Sequence, residues 1–386
     1  MAKNLCYHPR VSTRQKLMIV AGEPSGDAHA AALVKALRER GELDFFGATG
    51  PLMREAGVET IVNSDELAIM GIVEVGRVFS KFLSAFRKLK AAAIQRSPDA
   101  VVLVDWPEFN LRLASALHRR GLKVIYYISP QLWAWRPGRV RRIERDVDLL
   151  LSILPFEVDW YKAQNVGHVE FVGHPLSGEV KARYGREEFC RRNDLDPSRP
   201  IVSFLPGSRI KELQRILPPM LDAIEQLRTT RPDVQPVVVL APSRTAEEIR
   251  AQNIKLIQQQ TREALAASDA AAIASGTATL EAALLETPMV VVYKESAINW
   301  HTLGRLIKVP HFGLVNLVAG KEIAKELMQD QLLGENLAHE ILKLLEPETN
   351  KSMRAALRDV AHKLGDPGAS QRAAEQILKS IRVIRG

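Results

Sequence analysis

Two turns in the second half of the sequence combine glycine, hydroxyl and charged residues as a phosphate-binding site requires. In "LPGSRIKEL" (205–213), an apolar run ends at Gly207, Ser208 is placed to cap a helix from about residue 211, and Arg209 follows. The N–H groups of a helix start bind anions, and a guanidinium binds phosphate through two hydrogen bonds. A capped helix with a surface arginine is the alternative, and this turn alone leaves both open.

The second turn is "ASGTATLEAALLETP" (274–288), where Ser275, Gly276 and Thr277 join an apolar run to a helical pattern. Glu281 shares the helix face of Thr277 by i,i+4 spacing. Its carboxylate could accept both hydroxyls of a ribose while the turn amides meet a diphosphate, whereas a solvated helix glutamate is the alternative. The two turns together indicate a nucleoside diphosphate with an attached sugar.

A carboxylate in the first half of the chain is placed for proton transfer. Asp105 ends the apolar run before "WPEFNLRLA", so its side chain should project from the carboxyl end of a strand. Such an aspartate can be the general base for a substrate hydroxyl. Capping a helix that begins near Phe109 is an equally weighted alternative.

Aromatic and basic residues alternate in "YISPQLWAWRPGRVRRIERDVD" (127–148), which includes Ser129, Trp133 and Arg136. This pattern could stack a sugar, bind an anionic head group or bind single-stranded nucleic acid. Core aromatics followed by a solvated basic helix face are the structural alternative.

The segment "ELAIMGIVEVGRVFSKFLSAFRKLK" (66–90) has an apolar stripe at helical spacing with basic residues beside it. Core packing is the usual explanation, and from the pattern alone we favour it. The alternative is a surface that inserts apolar side chains among anionic lipids.

The first glycine turn, in "IVAGEPSGDAHAAALVKAL" (19–37), fits neither a G-x-G-x-x-G loop nor a P-loop. Its place after the first strand predicts that it faces the cleft between the two α/β domains that we predict below. Ser25 or Asp27 is predicted to cap the helix through residue 37, and Gly26 lets the backbone turn closely. Glu23, Ser25 and Asp27 are candidates for orienting a substrate or supporting Asp105.

Composition narrows the class of protein. The chain has 386 residues, 46% of them hydrophobic, two cysteines and a net charge of +8. This suits a globular protein of two domains in a reducing cytoplasm, with an anionic partner. The basic N-terminal stretch has no apolar segment of a signal peptide, and no run of about 18 apolar residues predicts a membrane span.

Apolar runs alternate with helical patterns, which predicts two doubly wound, Rossmann-like α/β domains facing a cleft. We place the first at residues 1–178 and the second at 199–350, with C-terminal helices at 351–386 packing back on an N-terminal domain. The predicted strands are 17–21, 44–49, 99–105, 123–129, 149–154 and 170–173, then 201–206, 236–242, 270–275 and 288–294.

These motifs resemble, in order and over residues 17–330, those of the lipid-A-disaccharide synthase family. The matching stretches are "VAGEPSGD", "ELAIMGIVEV", "VDWPEFN", "ISPQLWAWR", "ILPFE", "FVGHP", "LPGSR", "ASGTATLE", "PMVVVYK" and "LVNLVAGKEIAKEL". One departure is Ala30, which stands where the family has glycine, and His29 beside it has no assigned role.

The resemblance implies an inverting, metal-independent glycosyltransferase of the GT-B type without a cofactor. It would join UDP-2,3-diacylglucosamine to 2,3-diacylglucosamine 1-phosphate through a β-1,6 linkage, releasing UDP. The family acts at the inner face of the cytoplasmic membrane of Gram-negative-type bacteria and forms dimers that exchange C-terminal segments. No nucleic-acid partner is expected.

The resemblance also assigns roles. Asp105 takes the proton of the acceptor hydroxyl, Arg209 stabilises the departing UDP, and Asn316 lies near the nucleotide. It raises the lipid-surface interpretation of residues 67–86 above core packing. The predicted nucleotide site comprises Gly207, Ser208, Arg209, Ser275, Gly276, Thr277, Glu281 and Asn316. The predicted acceptor side comprises Glu23, Ser25, Gly26, Asp27, Ser129, Trp133 and Arg136. The predicted membrane patch comprises Leu67, Ile69, Met70, Val75, Val78, Phe79 and Phe82.

Two rival functions stay open at this point. A UDP-sugar 2-epimerase pairs two such domains around a UDP-sugar without a lipid acceptor. A nucleic-acid-binding protein would use the arginine-rich segment 136–145.

Overall fold

The computed structural model describes residues 14–65, 75–135, 137–249, 254–296, 300 and 309–382. They form two parallel sheets covered by helices, which confirms the prediction of two doubly wound α/β domains.

The first sheet has seven strands in the order β3-β2-β1-β4-β5-β6-β7. They are β1 (Gln15–Ala21), β2 (Leu43–Thr49), β3 (Glu59–Asn63), β4 (Ala100–Val104), β5 (Val124–Tyr127), β6 (Leu149–Ser152) and β7 (Val169–Phe171). The helices are α1 (Pro24–Arg38), α2 (Pro51–Glu55), α3 (Val75–Arg96), α4 (Pro107–His118), α5 (Leu132–Trp135), α6 (Val140–Asp146) and α7 (Pro155–Ala163). A polar segment with α8 (Leu176–Glu179) and α9 (Arg186–Arg192) leads to the second domain.

The second sheet has six strands in the order β10-β9-β8-β11-β12-β13. They are β8 (Ile201–Leu205), β9 (Gln235–Leu240), β10 (Lys255–Gln258), β11 (Ala270–Ala274), β12 (Met289–Tyr293) and β13 (Glu326–Met328). The helices are α10 (Ile210–Thr230), α11 (Thr261–Ala267), α12 (Ala278–Leu284), α13 (Leu314–Ala319), α14 (Gly334–Leu345), α15 (Pro347–Lys363) and α16 (Ala369–Arg382).

The central strands form because they are continuous apolar runs that are buried on both faces. All five residues of β4, β8 and β11 are buried, as parallel strands between two helix layers must be. The strands that the sequence did not predict are β3, β10 and β13, which are short and partly exposed at sheet edges. Their apolar runs are interrupted because one side of each strand has no neighbour to bury it.

Strand order reverses at one place in each sheet. In the first sheet β1 pairs with both β2 and β4, and in the second β8 pairs with both β9 and β11. The loops that leave neighbouring strands in opposite directions open a crevice at such a switch point. The crevices lie after β1 and β4 in the first domain and after β8 and β11 in the second.

The last two helices pack on different domains. Helix α15 packs on α12 and α13 of the second domain, whereas α16 packs on α1 of the first. The boundary predicted at residue 351 therefore falls inside α15, and the chain returns to the first domain only after residue 363.

Candidate active site

A cavity of about 780 Å³ opens at the switch point of the second sheet. The two predicted phosphate turns meet there, because they follow the adjacent strands β8 and β11. Seven predicted residues line it: Gly207, Ser208, Arg209, Ser275, Gly276, Thr277 and Glu281.

The start of α10 differs by one residue from the prediction. Arg209, not Ser208, is the N-cap residue, and Glu212 in the first turn accepts hydrogen bonds from the backbone nitrogens of Ser208 and Arg209, both at 3.2 Å. Gly207 has φ +107°, and a Cβ there would lie 2.7 Å from Oε2 of Glu212. Glycine therefore permits both the turn and the close approach of the Glu212 carboxylate.

Charged residues that the sequence analysis missed complete the cavity wall. Arg262 donates to Glu281 at 3.2 Å, and Arg183 donates to the buried Glu263 at 2.8 Å; Lys181 also lines the cavity. Lys181 and Arg183 come from the polar segment between the domains. The signal in the sequence was the concentration of cations between the two predicted domains.

Asp105 lies at the switch point of the first sheet, directly after β4, and is half-buried. Burial raises the pKa of its carboxyl to about 6, and the nearby negative charge of Glu23 adds to this rise, whereas the backbone N–H of Trp106 opposes it. Helix α4 begins at Pro107 with Trp106 as its N-cap residue, so the capping alternative for Asp105 is wrong. A carboxylate with this pKa is suited to accept a proton near neutral pH.

The first glycine turn packs beside Asp105. Glu23 is the exposed N-cap residue of α1, and no side chain caps this helix, so the predicted capping by Ser25 or Asp27 is wrong. Ser25 is exposed, and a Cβ on buried Gly26 would lie 3.9 Å from Cβ of Asp105.

The buried carboxylate of Asp27 is hydrogen-bonded to backbone nitrogens inside the protein. It accepts from the backbone nitrogens of Gly50 at 3.0 Å, Leu52 at 2.8 Å and Met53 at 3.1 Å, and so caps the start of α2. The prediction that Asp27 orients an acceptor is not supported by this placement, since its oxygens are occupied inside the protein.

The two domains meet along the carboxyl edges of their sheets. Trp133 and Leu154, which follow β5 and β6, share one hydrophobic core with the second domain. Arg262 of the cavity wall donates to the carbonyl of Glu179 in α8 at 2.6 Å. The cavity and Asp105 each lie at the carboxyl edge of their own sheet.

Comparison with known proteins identifies the family. The chain matches the family described as Lipid-A-disaccharide synthetase over residues 17–381. It is 43% identical over 378 residues to the lipid-A-disaccharide synthase of Geobacter sulfurreducens, covering 96% of this chain and 98% of the relative. The chain belongs to the lipid-A-disaccharide synthase family.

Solved structures show the same fold at low sequence identity. The calicheamicin glycosyltransferase CalG4 has a TM-score of 0.63 at 16% identity, covering 97% of this chain and all of that one. A putative UDP-N-acetylglucosamine 2-epimerase from Listeria monocytogenes has a TM-score of 0.62 at 15% identity, covering 96% and 97%. The GT-B fold is thus common to transferases and epimerases, and the family membership separates the two.

Asn316 does not line the cavity, whereas the family resemblance implied a place near the nucleotide. It is fully buried, donates to Ala324 O at 2.7 Å and Glu326 Oε1 at 2.8 Å, and accepts from two backbone nitrogens at 2.9 Å. Glu326 also accepts from the backbone nitrogens of Phe312 and Gly313, and the carbonyl of Phe312 accepts from Ser275 at 2.8 Å. In this family member Asn316 therefore supports the turn of Ser275 indirectly, through Glu326 and Phe312.

Trp133 is also a core residue, and its ring is buried rather than exposed for stacking on a sugar. Its Nε1 donates to the buried Glu157 at 2.9 Å, and its ring packs edge-on against Phe156 at 5.0 Å. Burial raises the pKa of Glu157, and the hydroxyl of buried Ser129 lies beside that carboxyl. The "SPQLWAWR" and "ILPFE" motifs of the family thus meet as one buried polar cluster, while Arg136 lies outside the described residues.

Only part of the predicted membrane patch can be described. Leu67, Ile69 and Met70 fall outside the described residues, as do the side chains of Val75, Val78 and Phe79. Phe82 is half-buried and packs on Trp106 at 5.6 Å and Phe109 at 6.0 Å, at the margin of the core, and its lipid-facing role stays a prediction. Leu83 beside it is 38% exposed.

Within the part of the chain that the structure describes, no helix has the length and apolar character to cross a bilayer. No group of three or more His, Cys, Asp or Glu side chains in the described ranges could hold a metal ion. His29 is half-buried near His174, and burial together with this neighbour lowers the pKa of His174 to about 4.

Proposed function

We propose that this protein is a lipid-A-disaccharide synthase that transfers the diacylglucosamine residue of UDP-2,3-diacylglucosamine to 2,3-diacylglucosamine 1-phosphate. The observation that carries the proposal is the pair of sites at the carboxyl edges of the two sheets: the half-buried Asp105, whose pKa is raised to about 6, and a cavity lined by Arg209 and Glu281. Membership of the family supports the same reaction.

In the proposed reaction the deprotonated Asp105 takes the proton of the acceptor 6-hydroxyl. The oxygen attacks the anomeric carbon, the bond from that carbon to the UDP oxygen breaks, and UDP leaves with the electron pair. The start of α10 and the Arg209 guanidinium stabilise the charge that develops on the diphosphate. Glu281 accepts from the ribose hydroxyls. A single displacement of this kind inverts the anomeric centre and gives the β-1,6 disaccharide.

The test separates transfer from epimerisation. UDP release is measured with the donor alone and with donor plus acceptor, and the product is identified by mass spectrometry. We expect UDP release to require the acceptor, and equal release in both reactions would exclude the transferase. In the same assay Asp105→Asn should lower turnover by about 10²-fold or more while UDP binding, measured by calorimetry, stays within twofold.

We further propose that the protein meets its acylated substrates at the inner surface of the cytoplasmic membrane. Leu83 is exposed on α3, and the basic Lys81, Arg87 and Lys88 on the same helix are also exposed. Basic residues beside apolar ones favour anionic lipid surfaces. Flotation with vesicles containing phosphatidylglycerol, compared with vesicles of phosphatidylcholine alone, tests this; equal binding to both contradicts it.

A homodimer that exchanges C-terminal segments is the remaining proposal from the family resemblance. Here α16 packs on α1 of its own chain, and this contact would be repeated between two chains in an exchanged dimer. Light scattering at several protein concentrations measures the mass, and a monomer throughout contradicts the proposal.

A further inference from the structure

The backbone at Asp105 has an unusual conformation. Asp105 has φ +48° and Trp106 has φ +49°, so two successive residues with side chains lie in the left-handed region. That region is sparsely populated by residues other than glycine, because a side chain there strains the backbone. Surrounding contacts must therefore hold the pair in place.

Two buried side chains donate to the same backbone carbonyl. The oxygen of Asp105 accepts from Nδ2 of Asn110 at 2.8 Å and from the hydroxyl of Tyr126 at 2.6 Å. Burial raises the pKa of Tyr126 well above its ordinary value, so this hydroxyl keeps its proton throughout the working pH range. Both donors are present whenever Asp105 is ionised.

Asn110 is placed to donate rather than to accept. It is fully buried, and its Nδ2 also donates to the carbonyl of Val104 at 3.2 Å. Its Oδ1 has no hydrogen-bond partner among the described residues. An asparagine that leaves one buried oxygen unsatisfied is retained at a cost, and its two donated bonds to the end of β4 offset that cost.

Packing of its ring holds Trp106, the second residue of the pair, in place. It stacks on Phe109 with ring centroids 4.1 Å apart and planes within 9° of parallel. On its other side lies Gly22 of the first glycine turn, where a Cβ would come within 2.0 Å of the indole. The first turn and the Asp105 loop are therefore fitted to each other at this position.

We propose that Asn110 and Tyr126 are positioning residues that hold the left-handed Asp105–Trp106 backbone, and through it the Asp105 carboxylate, in the geometry for proton transfer. Return of Asp105 to an extended conformation would swing its Cβ and carboxylate away from this position. A displacement of about 1 Å in a reacting group can cost 10²-fold in rate. The inference rests on the proposed role of Asp105 as general base.

The experiment compares two tyrosine variants that each lose one buried hydroxyl. Tyr126→Phe removes a donor to the Asp105 carbonyl. Tyr161→Phe is the matched control, because Tyr161 is equally buried and its hydroxyl donates to the carbonyl of Pro130 at 2.9 Å. For each variant kcat, the KM of the acceptor and the pH profile of kcat/KM are measured. UDP titration of the second-domain site gives the concentration of folded enzyme.

We expect Tyr126→Phe to lower kcat about tenfold with UDP affinity within twofold of the parent. The acid midpoint of its profile should move below pH 6, because a carboxylate released from its half-buried position is better solvated and its pKa falls. The control should change neither kcat nor the midpoint. A general loss of stability lowers the folded fraction in either variant but does not move the midpoint.

Asn110→Ala is the second variant, with the same expected direction in kcat and midpoint. Parental kcat and midpoint in Tyr126→Phe overturn the inference, as does an equal change in the Tyr161→Phe control. Asp105→Asn is assayed alongside: if it retains turnover, the base role of Asp105 on which the inference rests fails, whereas its loss of turnover beside a normal Tyr126→Phe overturns only the positioning role. The proposed function itself fails if the parent releases UDP equally with and without the acceptor.

Discussion

Glu212 contacts Arg209 at both ends of that residue. Its Oε1 accepts from the guanidinium at 2.8 Å, and its Oε2 accepts from the backbone nitrogen at 3.2 Å. Backbone N–H groups at a helix start and a guanidinium are also the donors that a diphosphate would use. The Glu212 carboxylate therefore binds the same donor groups that the diphosphate proposed for this cavity would need.

We predict that Glu212→Gln binds UDP about three- to tenfold more tightly than the parent. The amide keeps the shape of the side chain and can still cap α10, but it carries no charge to compete with the diphosphate. Calorimetry with UDP measures the change. Glu225→Gln, the same substitution at an exposed position of α10, should leave the affinity as it was. Weaker binding to Glu212→Gln would mean that the carboxylate assists the site by orienting Arg209.

Asp105→Asn should stabilise the fold while it lowers turnover. A carboxyl whose pKa is raised in the folded state, here to about 6, contributes stability at low pH that is lost as the pH rises through that value. At about 1.4 kcal/mol per pKa unit, the ionised form costs at most roughly 3 kcal/mol. Asparagine also tolerates the left-handed backbone at this position. Urea unfolding should show the variant more stable at pH 8 and little different at pH 4. A variant less stable than the parent at pH 8 contradicts the prediction.

Glu23→Gln should move the acid limb of the pH–rate profile to lower pH. The negative charge of Glu23 helps to raise the pKa of Asp105, so its removal lets Asp105 lose its proton at a lower pH. Because activity requires ionised Asp105, the midpoint of the acid limb should then fall below pH 6. Glu39→Gln makes the same change of charge beyond the other end of α1 and should leave the midpoint in place. An unmoved midpoint in Glu23→Gln would mean that its charge is screened from Asp105.

Asn316→Ala should act on stability more than on nucleotide binding. Removal of this side chain takes the hydrogen-bond partner from two buried backbone nitrogens and a carbonyl, which we expect to cost about 2–4 kcal/mol. Thermal unfolding and UDP calorimetry on the folded protein separate the two effects. Arg209→Ala should give the opposite result, a weakened UDP affinity with little change in melting temperature, since its side chain is 82% exposed. A large loss of UDP affinity in folded Asn316→Ala would return Asn316 to direct contact with the nucleotide.

The sequence predicted what depends on local pattern. Continuous apolar runs located the central strands. The residues directly after β8 and β11 line one cavity, as expected where neighbouring strands of a parallel sheet end at the same edge. Asn316 and Asp27 carry the same polar groups as ligand-binding residues. Only the three-dimensional contacts reveal that their side chains are already hydrogen-bonded to the backbone of Ala324 and of Gly50.

The charged wall of the cavity escaped prediction for a related reason. Arg183 and Arg262 are about 80 residues apart along the chain and meet only when the domain linker folds over α11. Glu212 could have been found from sequence, since an acidic residue three positions after the start of a helix is typical of a capping box.

The packing of α16 on α1 sets the order in which the protein can be completed during synthesis. Ala373, Ile377 and Ile381 of α16 belong to the same core as Leu33 and Leu37 of α1. Nearly 200 residues separate the end of β7 from the start of α16, so at about 5–20 residues per second the ribosome needs roughly 10–40 s to deliver this last helix. The apolar face of α1 stays uncovered for that time, while the whole second domain is made. A chain that stops before residue 369 would thus lack part of the domain that is synthesised first, rather than a dispensable tail.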